Sequence, residues 1–215
     1  MKKELTELVF ILDKSGSMSG LEADTIGGFN AMLEKQKAVE GECRITTVLF
    51  DDRYYILHDR INIQIVSPIT GEAYFVGGST ALLDAIGKTI HKIGNAQKYT
   101  TSDLRADKVM FVIITDGAEN ASREYSAEKV KAQIKRQKEK YGWEFIFLGA
   151  NIDAVETADR FGIGANRAVK YCADSSGTNL NFTVINAAAA EFREKSTISE
   201  NHLEEIRRDM RNRGK

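Results

Sequence analysis

Continuous runs of apolar residues alternate with amphipathic segments along the chain. Most of these runs are continuously apolar and do not alternate with polar residues, which predicts strands that are buried on both faces. Six such runs are found, at residues 8–12, 44–50, 54–57, 109–115, 143–149 and 168–173.

The segments between the runs carry apolar residues three or four positions apart, which predicts helices that pack on the strands. The clearest stripes are Leu21, Thr25, Phe29, Met32 and Leu33; Leu82, Leu83, Ile86 and Ile90; and Val130, Ile134 and Tyr141. Another helix is predicted over residues 181–192, with Phe182, Ile185 and Ala189 facing inward.

Strands that alternate with helices predict an α/β fold, in which a doubly wound, mostly parallel six-stranded sheet has helices on both faces. The connection between the second and third runs, FDDRYY at residues 50–55, is too short for a helix. These two strands are therefore predicted to form an antiparallel hairpin.

The composition suits one globular domain with a substantial core. The chain has 215 residues, of which 42% are hydrophobic and 28% are charged. We expect a single domain over residues 1–198, followed by a helical or flexible basic tail over residues 199–215. The basic residues of the tail leave open a contact with nucleic acid or an acidic partner, although cations that complement a helix end are the commoner explanation.

Charge and cysteine content narrow the expected partners and compartment. The formal net charge is −1, so no global basic field attracts nucleic acid or anionic lipid. Cys43 and Cys172 lie far apart and form no CxxC pair, which argues against a disulfide framework or a thiolate zinc site. No apolar run approaches the roughly 20 residues that a membrane span needs, and the start lacks a signal-peptide core. We expect a cytoplasmic protein.

Oxygen-bearing side chains follow three of the predicted strands or turns. Asp13 ends the first apolar run, and the hydroxyls of Ser15 and Ser17 come directly after it. Thr80 follows a pair of glycines, and Asp116 ends the fourth run. Because the carboxyl ends of parallel strands share one edge of a sheet, these groups are expected to meet there. Hard oxygen donors favour Mg²⁺ or Mn²⁺ over Zn²⁺.

Each of these features also has a simpler explanation when it is taken alone. Asp13 and Ser15 suit an Asx turn that caps the helix beginning near Gly20, Thr80 suits an N-cap, and Asp116 suits a turn. The coincidence of three oxygen-rich loops favours a shared site. Further polar residues are expected at its rim, where they form a partner-binding surface or are simply polar turn residues: Asp51, Asp52, Glu119, Asn120, Asn151 and Asp153. Asp84 is expected to be only a first-turn acid favoured by the helix dipole.

The motifs DKSGS, GGST and ITDG, in that order, resemble the metal-ion-dependent adhesion site (MIDAS) of von Willebrand factor A (vWA) domains. The resemblance covers residues 8–172 and implies a sheet order of 3-2-1-4-5-6 with one antiparallel edge strand. It also implies that Asp13, Ser15, Ser17, Thr80 and Asp116 form a complete Mg²⁺ site that engages an acidic side chain of a partner protein. A stand-alone domain of this kind is most similar to bacterial members, some of which are associated with stress-response or chaperone-like assemblies.

The alternative function is that of an enzyme, a metal-dependent phosphohydrolase that uses the same oxygen-rich site. The chain has no GK[ST] loop, and the DxD pattern of aspartyl-phosphate enzymes fails at Ser15. The three histidines, His58, His91 and His202, lie outside the oxygen-rich loops, so no general base is evident. We therefore expect a binding module without catalytic residues, which acts as an intracellular scaffold or assembly factor.

Overall fold

The computed structural model describes residues 4–213 and contains a six-stranded sheet. The strand order is β3-β2-β1-β4-β5-β6; only β2 and β3 pair antiparallel, and the other pairs are parallel. The predicted fold class, strand order and hairpin are confirmed. The strands are β1 (Leu5–Asp13), β2 (Glu42–Phe50), β3 (Tyr54–Asn62), β4 (Lys108–Thr115), β5 (Glu144–Gly149) and β6 (Ala168–Lys170).

Helices cover both faces of the sheet. One face carries α1, α5 and α6, whose residues Phe29, Phe182 and Ile206 belong to one hydrophobic cluster. The other face carries α2, α3 and α4, which supply residues such as Ile86 and Val130 to a second cluster. The helices are α1 (Glu22–Lys37), α2 (Leu82–Tyr99), α3 (Ala127–Tyr141), α4 (Ala154–Arg160), α5 (Ser175–Lys195) and α6 (Glu204–Arg213).

The central strands explain why the apolar runs are continuous. Along β1, Leu8 and Phe10 face the first cluster, whereas Val9 and Ile11 face the second. Successive side chains of a strand point to opposite faces, so a strand covered on both sides must be apolar at every position. The two central strands, β1 and β4, pair with each other at the middle of the sheet.

Several details differ from the sequence predictions, including the end of the third strand, which is Asn62 rather than residue 57. The last strand ends at Lys170 rather than at residue 173. Tyr141 does not continue the buried stripe of α3, because it is the last residue of that helix and is 50% exposed. Helix α2 begins at Leu82, after an N-cap residue, Ala81, that offers no side-chain cap, so Thr80 does not cap it.

The C-terminal segment packs on the domain as far as the structure describes it. A 3-10 turn at Glu200–Leu203 leads into α6, and both Leu203 and Ile206 are buried in the first cluster. The basic side chains of α6 are partly paired within the chain: Arg213 forms ion pairs with Asp174 (2.8 Å) and Asp209 (2.7 Å).

Both cysteines are free thiols. Among residues 4–213, no helix combines the length and apolar character needed to cross a membrane.

Candidate metal centre

Four of the five oxygen-bearing residues form one hydrogen-bonded cluster at the carboxyl edge of the sheet. The hydroxyls of Ser15 and Ser17 lie 3.1 Å apart, and Thr80 Oγ1 donates to Ser15 Oγ at 3.0 Å. Ser17 Oγ donates to Asp116 Oδ1. Three separate loops thus bring their side-chain oxygens to one point, as the sequence predicts.

The fifth residue, Asp13, lies directly beside this cluster. Its Oδ1 accepts a hydrogen bond from the backbone N–H of Ser15 (2.7 Å), and its Oδ2 accepts one from Thr115 Oγ1 (2.5 Å). The first bond forms an Asx turn, but this turn does not cap α1, whose N-cap residue is Leu21. This turn shapes the loop that carries the serines, and a short 3-10 turn at Gly16–Met18 follows it.

Strand pairing and loop hydrogen bonds explain why the three loops converge. Leu12 of β1 is paired with Ile114 of β4, so the residues that end these strands are neighbours. The first loop, which carries Ser15 and Ser17, is joined to the second, which carries Thr80, by a hydrogen bond from the backbone N–H of Gly16 to the Gly78 carbonyl (3.1 Å). A second hydrogen bond between the same two loops runs from the backbone N–H of Gly77 to the carbonyl of Lys14 (2.9 Å).

Gly117 leaves the space that the cluster needs. A Cβ atom at this position would lie 3.0 Å from Ser17 Oγ and 3.1 Å from Thr80 Oγ1. Any other residue would therefore push against two of the three hydroxyls. The glycine after Asp116 keeps the third loop close to the first two without filling the space between them.

Asp116 is the least satisfied group of the cluster. Its side chain is 1% exposed, and its Oδ2 has no hydrogen-bond partner among the described residues. Burial raises the pKa of Asp116, and a hydrogen bond from Ser17 only partly offsets this effect. Burial also raises the pKa of Asp13 against hydrogen bonds from Ser15 and Thr115, with a smaller contribution from the nearby Asp116 charge. A buried carboxylate in this state needs a cation or a proton.

The donor set fits a hard divalent cation. Two carboxylates and three hydroxyls supply only oxygen, which suits Mg²⁺ or Mn²⁺. Within residues 4–213, no group of three or more His, Cys, Asp or Glu side chains is arranged to hold a metal ion. Three of the five proposed donors are hydroxyl groups, and metal binding by the five residues stays a prediction.

Asp51 differs from the expected exposed rim residue. It is 2% exposed, and its carboxylate forms an ion pair with Lys14 Nζ at 2.5 Å. Although burial opposes ionisation, hydrogen bonds from Lys14 and from the backbone N–H of Arg53 hold the pKa of Asp51 below its usual value. The backbone carbonyl of Asp51 also accepts from Ala81 N (2.9 Å), so Asp51 fixes the loops in place. Asp52 next to it is exposed.

Glu119 and Asn120 also hold the loops together. The Asn120 side-chain oxygen accepts from Thr80 N at 2.9 Å, and its backbone N–H donates to the Thr80 carbonyl. Glu119 accepts from Leu83 N (2.8 Å) and Ser122 N (2.7 Å), and thereby serves the first turn of α2. Asn120 therefore positions Thr80, and Glu119 positions the start of the helix behind it.

Of the two predicted rim residues after β5, Asp153 has a local role and Asn151 has none that the structure defines. Asp153 is the N-cap of α4 and accepts from Glu156 N at 2.9 Å, which is the simpler explanation for this residue. Asn151 is exposed and has a left-handed φ of 38°.

Sequence reasoning missed several residues that support the centre. Tyr74 is buried, and its hydroxyl donates to the Asp13 carbonyl at 2.5 Å. Thr115 directly contacts Asp13, and only its place before Asp116 at a strand end signals this role. Asp84 accepts from the backbone N–H groups of residues 123, 124 and 125 at 2.8 to 3.0 Å. Its role as only a first-turn acid is therefore wrong, because it ties the third loop to α2.

Comparison with solved structures identifies the class of fold. Similar structures include a von Willebrand factor type A protein from Catenulispora acidiphila (TM-score 0.60, 14% identity), which matches over 87% of this chain and 43% of its own. Proximal thread matrix protein 1 from the mussel byssus, solved with a zinc-occupied MIDAS motif, is similar over 87% of this chain and 46% of its own (TM-score 0.59, 14% identity). The ArnB paralog VWA2 from Sulfolobus acidocaldarius matches over 88% of this chain and 45% of its own (TM-score 0.52, 16% identity).

The chain therefore has the fold of vWA domains. It spans less than half the length of these three structures, and at such identities the likeness establishes the fold alone. No family model matches the chain, and no curated protein matches it.

Proposed function

We propose that this protein is a divalent-cation-dependent protein-binding module that engages an acidic side chain of a partner. The observation that carries the proposal is the buried carboxylate of Asp116, whose unpartnered Oδ2 belongs to the same cluster as three hydroxyls. The cation, Mg²⁺ or Mn²⁺, would be held by Asp13, Ser15, Ser17, Thr80 and Asp116. We further propose that the module works inside the cell as a scaffold or assembly factor and is not an enzyme.

The charge of the donor set explains why an acidic partner is expected. Ser15, Ser17 and Thr80 are neutral donors, and Asp13 already accepts two hydrogen bonds from the chain. A cation held there keeps part of its positive charge, and it supplies a strong site for an external carboxylate. The partner's Asp or Glu side chain would complete the set of oxygen ligands.

Other residues of the chain act by holding the donors in place. Asn120 and Asp51 fix the second loop, Gly117 keeps the central space open, and Tyr74 fixes the end of β1. Pre-organised donors bind more strongly because less conformational freedom is lost on binding. The zinc-occupied MIDAS of the mussel protein supports a divalent cation in this fold, and the all-oxygen donor set favours Mg²⁺ or Mn²⁺ here.

A library of paired peptides tests the proposal without a known partner. Each peptide that contains Asp or Glu is matched with a twin that carries Asn or Gln at the same position, and binding is measured in Mg²⁺ and in EDTA. We expect some acidic peptides to bind only in Mg²⁺ and their amide twins not to bind.

Two variants make this test specific to the centre. Thr80→Ala should weaken binding by about 10- to 100-fold, as is typical when a metal ligand or its support is lost. The exposed neighbour Asp52→Ala is the control and should change binding little. Peptide binding that is equal in EDTA and Mg²⁺, or equal for wild type and Thr80→Ala, would contradict the proposal.

A further inference from the structure

A second cleft lies between α2 and α3, at the edge of the sheet opposite the candidate metal centre. Its volume is about 440 Å³, within the roughly 300 to 1,000 Å³ typical of small-molecule sites. Helix α2 begins at Leu82 beside the metal centre, and Gln97 in the cleft lies 15 residues further along, about 22 Å at the helical rise. Val109, at the amino end of β4, also lines the cleft.

The cleft contains buried amide groups that the fold leaves unpaired. Gln97 is only 9% exposed, yet neither its Nε2 nor its Oε1 has a hydrogen-bond partner among residues 4–213. Across the cleft, Gln133 Oε1 on α3 is also buried without a partner in this part of the chain. A buried polar group without a hydrogen-bond partner destabilises the fold unless a ligand satisfies it. The amide of Gln97 offers a donor and an acceptor side by side, which suits a ligand with a complementary edge.

The rest of the lining combines apolar surface, aromatic rings and positive charge. Ile90, Val109 and Trp143 supply apolar surface, and Tyr141 is half exposed at the end of α3. Three basic side chains line the cleft: Lys98, Arg105 and Arg136. The single carboxylate of the lining, Asp107, accepts a hydrogen bond from Leu5 N at 3.1 Å.

We infer that this cleft binds a nucleoside monophosphate. A glutamine amide can pair with the donor and acceptor edge of adenine, aromatic side chains stack on bases, and arginines bind phosphate. All three elements are present: the amide of Gln97, the half-exposed ring of Tyr141, and the guanidinium groups of Arg105 and Arg136. This site is independent of the proposed metal centre and needs no divalent cation.

The sole tryptophan of the chain provides a local signal, because Trp143 lies in the cleft. Titration of AMP, in EDTA, should change the fluorescence of Trp143 in a saturable manner. Adenosine lacks the phosphate and ribose 5-phosphate lacks the base, so each should bind more weakly than AMP. The use of EDTA keeps this test separate from the metal centre.

Three variants assign the binding to particular side chains. Gln97→Leu removes the amide but retains a side chain of similar size, and Arg136→Ala removes one cation. Each should weaken AMP binding by about tenfold or more, because a hydrogen bond or a charge contact is lost. Arg208→Ala removes an exposed cation on α6 and should leave the affinity unchanged.

Several results would overturn the inference: no saturable change at millimolar AMP, equal binding of ribose 5-phosphate and AMP, or unchanged affinity in Gln97→Leu. Equal weakening by Arg208→Ala would also overturn it, since that result indicates non-specific attraction. Thermal unfolding of Gln97→Leu checks its fold, and the variant should be at least as stable as wild type because a buried unpaired amide is gone. Gln97→Met provides a second test of the amide if the leucine variant does not fold.

Discussion

Replacing the carboxylate of Asp116 with an amide should separate the effect of the cation from the stability of the fold. In Asp116→Asn the side chain keeps its shape and loses its charge. The carboxylate is 1% exposed and has one unpartnered oxygen within residues 4–213, so its ionised form is penalised by burial in the absence of a cation. We expect the variant in EDTA to be at least as stable as wild type.

In the presence of the cation, wild type should become more stable than Asp116→Asn. A ligand present at 100 times its dissociation constant stabilises the folded state by about 2.7 kcal/mol. For a domain of this size, 1 kcal/mol corresponds to roughly 2 to 4 °C in melting temperature, so wild type should gain about 5 to 11 °C in saturating Mn²⁺. Asp116→Asn should gain little, because a charged donor of the site is lost.

Differential scanning calorimetry in EDTA and in Mn²⁺ measures both effects. Asp52→Asn serves as the matched control, because Asp52 is an exposed acid beside the same loops. This control should show the full wild-type gain. The reasoning is refuted if Asp116→Asn gains as much as wild type, or if wild type gains nothing in millimolar Mn²⁺.

Three further predictions concern the surroundings and the chemistry of the centre. Gly117→Ala should weaken Mn²⁺ binding by about tenfold, because overpacking of the space between the hydroxyls costs about 1 to 3 kcal/mol. Gly27→Ala on α1 is the control and should have no effect in the same titration, because a Cβ at that position meets nothing within 4 Å. Asp84→Ala should lower the free energy of unfolding by about 3 kcal/mol, because three backbone N–H groups lose a charged acceptor. Burial opposes ionisation of Asp84, but these bonds outweigh it and hold the pKa of the carboxyl below its usual value. Its contribution is therefore present above the unfolded pKa and is lost as pH falls through the folded pKa. A urea titration that shows the same deficit at pH 7 and pH 2 would be inconsistent with this prediction. A broad phosphoester panel should reveal no turnover, and steady hydrolysis that disappears in Asp116→Ala would favour the phosphohydrolase alternative.

The sheet was predictable because its central strands are covered on both faces. A strand such as β1 must then be apolar at every position and must end where it leaves the core, which places Asp13 and Asp116 at one edge. The order and spacing of the three loop motifs supplied the rest of the expected cluster. Strand pattern and parallel topology therefore placed Asp13 and Asp116 at one edge, whereas the inclusion of Thr80 depended on the loop motifs and their resemblance to a MIDAS.

Features that depend on contacts between distant segments were not predictable in the same way. Asp51 reads as a polar turn residue, but its ion pair with Lys14 joins two loops and buries it. Tyr74 lies in a connection without regular structure, and nothing in its neighbourhood signals its bond to the Asp13 carbonyl. Tyr141 follows the helical stripe of α3 but lies at its end, beyond the surface that packs on the sheet.

The most direct test of the account is a titration of Mn²⁺ in which the electron paramagnetic resonance signal of the free ion is recorded. The comparison is between wild type and the double variant Ser15→Ala and Ser17→Ala, which keeps both carboxylates and the net charge. Wild type should take up one equivalent of Mn²⁺, and the double variant should bind it at least about tenfold more weakly. Equal uptake by the two proteins would mean that the hydroxyl cluster holds no cation, and it would contradict the central claim.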